Sequence, residues 1–339
     1  MPRPAPRLLY LRRDDVIRLM GESCKPYIEP VRRALVLHAR GMTVQPLKPY
    51  LRRNHGPRHV ADRIIAMPAL LEDQPAVAGI KWIASKHDNP TARGLERASG
   101  LIVLNDCETN YPIALLEAGL ISGMRTAAIT VIAARHLARD HPRRIACVGC
   151  GFIGRLQVRG LVEELTELTE IALFDLEARA STALARELES SFPGVVASVA
   201  ASAEACIAGA DVVVASTVTD QPYLRFAWLA RGAFLSNVSL VDACDDVFLR
   251  ANKVVVDDWE QCAREGKPLQ RLAECGLFAR DRVHAELGQI VAGDRPGRES
   301  DDEVIVLNPM GLAIEDIGAA YAVYERAVEQ GAGQWLDLY

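Results

Sequence analysis

Arg144-Ile-Ala-Cys-Val-Gly-Cys-Gly-Phe-Ile-Gly154 carries an apolar run straight into Gly149-x-Gly151-x-x-Gly154, and a helix-like segment follows. Strand, glycine turn and helix in that order are the fingerprint of a dinucleotide-binding Rossmann unit. Gly149 permits the tight turn, Gly151 lets the backbone approach a pyrophosphate, and Gly154 lets the helix pack closely on the strand. Free N–H groups at the helix start, at Phe152 and Ile153, then hold the phosphates. The next apolar stretch, Ile171-Ala-Leu-Phe-Asp175, ends in an acid at the offset where such units bind the adenosine ribose. Asp175 accepts from the ribose hydroxyls and repels a 2′-phosphate, and no Arg follows it directly, so the expected cofactor is NAD rather than NADP. Thr217 and Val218, just past the run 211–215, complete the candidate cofactor contacts.

From residue 143 onward short β-branched runs alternate with helical segments, at 145–148, 171–174, 211–215, 233–236 and 253–256. That alternation predicts a doubly wound parallel sheet. Ahead of it, apolar pieces at 64–67, 77–85, 101–104 and 113–116 are separated by Pro, Gly and Asn-Asp signals at hairpin-like intervals. This portion reads as an α+β domain with a largely antiparallel sheet. Ile28, Val31, Leu35 and His38 recur at helical spacing over 26–39, and their apolar face is most simply core. A helix over 117–139 leads into the Rossmann domain, and one over 310–329 returns to the first. The fold class is therefore α/β: residues 1–127 with 310–339 form a substrate-binding domain, and 128–309 form the NAD-binding one. A chain of 339 residues is long enough for both cores. The substrate is expected in the cleft between them, facing the carboxyl ends of the parallel strands.

A net charge of -5 argues against a nucleic-acid partner. No apolar run approaches the roughly 20 residues that span a bilayer, and the Arg-bearing start lacks the apolar core of a signal peptide, so the expected location is the cytoplasm. Eight cysteines follow no framework spacing and read as buried small hydrophobes. Cys147-Val-Gly-Cys150 has redox spacing, yet it straddles the end of the nucleotide-binding strand and its turn. The seven histidines show no ligand spacing and Asp301-Asp302-Glu303 reads as a solvated turn, so no metal is expected.

Three cations stand in apolar surroundings: Lys48 in Gln45-Pro-Leu-Lys-Pro-Tyr50, Lys81 in Gly79-Ile-Lys-Trp82, and Arg125 in Met124-Arg-Thr-Ala127. Buried charges need anions. Protein carboxylates would serve, and so would the carboxylates of an amino-acid substrate, one of them bound bidentately by Arg. In Ser236-Asn-Val-Ser-Leu-Val-Asp242 an acid lies six residues beyond a predicted strand, on the sheet edge that faces ligand. Asp242 is either a base acting on a substrate nitrogen or a water, or a helix N-cap for the segment near Asp245.

Taken together, these residues resemble the ornithine cyclodeaminase and mu-crystallin family. Met124-Arg-Thr-Ala-Ala128, the glycine fingerprint, the segment 237–242, His284-Ala-Glu-Leu-Gly288 and Gly311-Leu-Ala-Ile-Glu-Asp316 occur in family order. The runs Ala61-Asp-Arg-Ile-Ile-Ala-Met-Pro68, Ser85-Lys-His-Asp-Asn-Pro90, Glu96-Arg-Ala-Ser-Gly100, Val218-Thr-Asp-Gln-Pro-Tyr223 and Asn308-Pro-Met-Gly311 are similar to one branch. That branch cleaves N-[(2S)-2-amino-2-carboxyethyl]-L-glutamate to L-2,3-diaminopropionate for siderophores, staphyloferrin B among them, and for peptide antibiotics. The resemblance implies that Lys81 and Arg125 hold the substrate α-carboxylate, that Lys81 and Asp242 are catalytic with Asp242 the acid, and that Asp175 binds ribose. It also implies a homodimer formed through the antiparallel sheet. Lys48 stands where cyclodeaminases have Arg, which leaves a point charge instead of a bidentate fork. Ile65 stands near where they use Glu for the ornithine amine, which favours a substrate with more negative charge. Arg97 and Lys86 are further candidates for its extra carboxylates. Ornithine cyclodeamination, alanine dehydrogenation, ketimine reduction and a non-catalytic binding role are the alternatives that the resemblance leaves open.

Overall fold

Alternation decides which side of the first sheet is core. In the computed structural model, which describes residues 6–53, 59–239 and 241–339, the chain divides into two compact units, Met1–Arg125 with Leu312–Tyr339, and Thr126–Gly311. The first holds strands β1 (Arg7–Leu11), β2 (Thr43–Val44), β3 (Tyr50–Leu51), β4 (Arg63–Leu71), β5 (Val77–Ser85), β6 (Ala98–Asp106) and β7 (Pro112–Glu117), with β16 (Gln334–Asp337) from the end of the chain. Their order is β16-β1-β7-β6-β5-β4-β2, and β3 also pairs with β4. All pairs are antiparallel except β1 with β7. Ile65, Met67, Ala69 and Leu71 of β4 are buried, and helix Ala313–Gln330 packs on β4, β5 and β6 and on helix Lys25–Ala39. Ile28, Val31 and Leu35 of the latter are core, while His38 is half-buried and bonds Thr43 through Nδ1 at 2.9 Å. Period two puts Lys81 in phase with the covered face and Trp82 with the other.

The second unit is a parallel sheet of β8 (Arg144–Val148), β9 (Glu170–Phe174), β10 (Val196–Val199), β11 (Val212–Ala215), β12 (Phe234–Asn237), β13 (Lys253–Val256), β14 (Ala285–Glu286) and β15 (Ile305–Asn308). The order β10-β9-β8-β11-β12-β15-β13-β14 reverses direction between β8 and β11, which is the ligand-binding switch point of such sheets. Residues 145–148 are fully or almost fully buried, as befits a central strand covered on both faces.

Several boundaries shift by one to three residues from the sequence reading, the domain limits among them, and one shift has a local cause. The return helix starts at Ala313 and not at Met310, because residues 309–312, between the end of β15 and the helix, are neither helix nor strand. Gly311 takes φ +69°, and the buried Asp257 accepts the N–H groups of Met310 at 2.7 Å and Gly311 at 2.6 Å. The helix near residue 245 has Cys244 at its N-cap position, with no side-chain cap, so Asp242 lies too far ahead to be its N-cap.

Candidate active site

The glycine turn is tight at its ends and open in the middle. Gly149 sits at φ +94°, and a Cβ there would lie 2.7 Å from the Ser216 carbonyl oxygen. On Gly154 a Cβ would lie 1.9 Å from the Gly149 carbonyl oxygen, so helix Phe152–Glu164 closes onto the turn only with hydrogen at that position. Gly151 contrasts with both: nothing stands within 4 Å of a Cβ built on it, and as N-cap it leaves the helix without a side-chain cap. Open space beside the N–H groups of the first turn, at Phe152 and Ile153, fits a pyrophosphate. Asp175 follows β9 and accepts N–H groups from Cys150 at 2.7 Å and Glu177 at 2.9 Å, one on each oxygen. Each oxygen keeps a lone pair for a ribose hydroxyl.

All eight cysteines are free thiols. A hydrogen bond with Cys150, then burial, hold the Cys147 thiol well above its ordinary value, the opposite of an activated thiolate. Among the described residues no group of three or more His, Cys, Asp or Glu side chains is arranged to hold a metal.

At the carboxyl ends of β11 and β12 the polar side chains converge on Asp242, which is fully buried. Thr217 donates its hydroxyl to Asp242 Oδ1 at 2.7 Å, and the Tyr223 hydroxyl donates to the same oxygen at 2.9 Å. Oδ2 is buried with no hydrogen-bond partner, an acceptor ready for an N–H or a water. Val218 is half-buried in the same loop. Asn237 ends β12 and donates to Asn308, which ends the neighbouring β15, at 2.7 Å. Tyr223 closes the run Val218-Thr-Asp-Gln-Pro-Tyr223, whose sequence alone gives it no role.

In the first unit the cations form one cluster. Lys48, Lys81 and Arg125 are all buried. Lys81 Nζ lies 2.5 Å from Asp316 Oδ2 and donates to Ser122 at 3.1 Å. Arg125 donates to Asp316 at 2.8 Å and to Glu315 at 2.6 Å. Both acids are fully buried in the first turn of helix Ala313–Gln330, where Gln45 accepts the Ile314 N–H at 3.3 Å. The anions that these cations require thus include two protein carboxylates, which sequence reasoning allowed but did not locate. Their signal was an acidic pair in the first turn of a helix whose next eight residues, 317–324, carry no charge, a pattern that usually complements the helix dipole at the surface. Burial pushes Lys81 down to about 7, opposed by Asp316 and assisted by Arg125 and Lys48. Burial also opposes the charge on Arg125, but Asp316 and Glu315 outweigh it and raise that pKa.

Arg97 and Lys86 do not join this cluster. The Lys86 N–H bonds the Arg97 carbonyl at 2.8 Å, five residues along from Lys81, roughly 16 Å at the strand rise. Arg97 has the phase of Leu101 and Trp82, not of Lys81, and burial lowers its guanidinium pKa. Lys86 is exposed and paired with Asp62 and Asp88. Ile65, by contrast, is in phase with Lys81 and buried.

The family model of the ornithine cyclodeaminase/mu-crystallin family matches residues 15–331. The chain belongs to that family. Among its relatives is the N-((2S)-2-amino-2-carboxyethyl)-L-glutamate dehydrogenase of Staphylococcus aureus, 48% identical over 98% of this chain and 99% of its own length. An archaeal alanine dehydrogenase dimer with bound NAD superposes with a TM-score of 0.88, at 30% identity, covering 98% of this chain and all of its own. The Thermococcus litoralis delta(1)-pyrroline-2-carboxylate reductase, in complex with NADH and L-proline, gives 0.89 at 29% identity, covering 96% of this chain and 99% of its own.

For this member of the ornithine cyclodeaminase/mu-crystallin family, Asp175→Ala is expected to weaken NAD binding by about tenfold to a hundredfold, the worth of one or two hydrogen bonds to a charged acceptor. Quenching of the protein's tryptophan fluorescence on titration with NAD measures it, and unchanged affinity would mean that the adenosine end is held elsewhere.

Proposed function

We propose that this chain oxidatively cleaves N-[(2S)-2-amino-2-carboxyethyl]-L-glutamate. The chain is an NAD-dependent oxidoreductase, and the balanced reaction consumes substrate, NAD+ and water and yields L-2,3-diaminopropionate, 2-oxoglutarate, NADH and a proton. The observation that carries the reading is the likeness, along nearly the whole of both chains, to the staphylococcal dehydrogenase, at 48% against 31% for the alanine dehydrogenase of Archaeoglobus fulgidus. The cationic cluster supports it. Lys48, Lys81 and Arg125 bring three cationic side chains beside Glu315 and Asp316, and a substrate carboxylate is attracted to such a cluster. Ile65 offers no carboxylate to a cationic ornithine tail.

Bound NAD+ supplies the hydride acceptor for the glutamyl α-carbon. The cationic cluster fixes the carboxylate next to that carbon, and orientation of this kind accounts for several kcal/mol of the barrier, roughly 7–11 at best. Asp242 Oδ2 takes the proton of the water that adds to the resulting imine, and the carbinolamine then collapses to the keto acid and the free amine. Supplying purified protein with substrate and NAD+ should give NADH and 2-oxoglutarate in equal amounts. Proline and ammonia from ornithine, without net NADH, would instead make the chain a cyclodeaminase.

Affinity for the substrate should fall as pH rises through about 7, because Lys81 in the protein without substrate loses there the charge that meets the carboxylate. Calorimetric titration across that range, beside Lys81→Arg, tests this. A variant with the same fall would show that another group is responsible.

We also place the protein in the cytoplasm, where its thiols stay reduced, and propose a homodimer through the uncovered face of the first sheet. No helix among the described residues is long and apolar enough to cross a membrane. Ile64, Trp82 and Leu101 are 36%, 44% and 43% exposed, with Trp82 directly opposite Leu101, and such a face calls for a partner. Trp82→Asp should convert the dimer to monomer in sedimentation. A variant that remains dimeric would exclude this face.

A further inference from the structure

The hydrogen bonds to Asp242 are one-sided. Both side-chain donors, Thr217 and Tyr223, meet Oδ1, and the Thr217 N–H approaches the same atom at 3.4 Å. Oδ2, equally buried, has no partner. Tyr223 also reaches the backbone of the same residue, since its N–H donates to the Asp242 carbonyl at 2.9 Å, and the Leu224 N–H donates there too. A parallel bridge between Leu224 and Ala243 continues this contact. The segment after β11 thus grips both the main chain and one carboxylate oxygen of Asp242.

A carboxylate on a free χ2 axis presents either oxygen to a substrate. With two hydroxyl donors on Oδ1 the plane is fixed, and Oδ2 alone is offered. The Tyr223 phenol is suited to this, because burial, then the charge of Asp242, raise its pKa and keep it a donor. Thr217 has another possible duty at the nucleotide, but its hydroxyl proton is committed to Asp242, and its oxygen accepts the Thr219 N–H at 3.3 Å.

We propose that Tyr223 and Thr217 are positioning residues that pin Asp242 by Oδ1 and leave Oδ2 as the single atom that accepts a proton in the reaction. This rests on the reading of Asp242 as the catalytic acid–base group. Neither residue touches the reacting atoms. Each acts through Asp242.

Tyr223→Phe and Thr217→Val should each lower kcat by about tenfold to thirtyfold, in line with loss of one hydrogen bond to a charged group, with KM nearly unchanged and, for Tyr223→Phe, NAD affinity unchanged as well. Thr217→Ser, which restores the hydroxyl, should recover most of the rate. The deciding readout is the double variant with Asp242→Asn. If Tyr223 works through Asp242, Tyr223→Phe adds no further loss in that background. A full multiplicative loss there would overturn the proposal, because the phenol would then act independently. A second measurement needs no turnover: the crystal structure of the Thr217→Val, Tyr223→Phe protein with NAD should show the Asp242 carboxylate rotated or split between orientations. An unmoved, fully ordered carboxylate would also overturn it. Wild-type protein that makes no NADH from the proposed substrate would sink the substrate reading alone, and the crystallographic result would still decide the role of Tyr223.

Discussion

Arg125→Ala is expected to lower kcat/KM by about 3 kcal/mol, more than a hundredfold, the usual cost of removing one member of a buried charged contact. Arg125 joins helix Ala118–Leu137 to two fully buried carboxylates, through Nε to Asp316 and Nη1 to Glu315. Truncation leaves Glu315 and Asp316 in the core with Lys48 and Lys81 as the remaining buried cations of the cluster. Breaking such a pair also destabilises the fold, by about 3–5 kcal/mol. One response softens the loss: Arg125 is among the charges that depress Lys81, so its removal favours the charged form of Lys81. Arg125→Lys separates the two effects, since it retains the charge but not the fork. Thermal unfolding beside steady-state kinetics gives both numbers, and a kinetic loss below about tenfold in a folded Arg125→Ala protein would remove Arg125 from substrate binding.

Asp242→Asn should reduce turnover by about a thousandfold, within the range for a lost general acid–base group, and leave NAD affinity unchanged. The substitution preserves shape. Thr217 and Tyr223 can still donate to the amide oxygen in the place of Oδ1. What changes is the other position, where an NH2 donor replaces the one acceptor without a partner. Single-turnover measurement of hydride transfer, followed by assay of 2-oxoglutarate, distinguishes the slow step. Turnover at the wild-type rate would end the assignment of Asp242.

Much of the architecture was legible because its causes are local. The helix over 26–39, the strands 145–148 and 171–174, and the hairpin strands at 64–67 and 77–85 all lie within elements of the structure. Each follows from a period of side chains along the chain or from a glycine whose backbone demands are local. What escaped was pairing at a distance. β1 joins β7 in parallel and β16 antiparallel, though more than 320 residues lie between β1 and β16, and a five-residue strand does not name its neighbour. β15 inserts between β12 and β13 out of chain order for the same reason.

The site divides along the same line. The sequence by itself determined the nucleotide turn, from Gly149 to Asp175, because turn, close approach and helix packing are requirements on single residues within one βαβ unit. It also determined that Lys48, Lys81 and Arg125 are charged groups in apolar settings and that Asp242 follows a strand on the ligand-facing edge. Only the tertiary structure decided their partners: Glu315 and Asp316 come from about 190 residues beyond Arg125, Tyr223 from 19 before Asp242, and Arg97 falls out of phase with Lys81. A charge in the core states the need for a counter-charge, but Coulomb attraction acts through space, so chain folding alone selects which acid meets it.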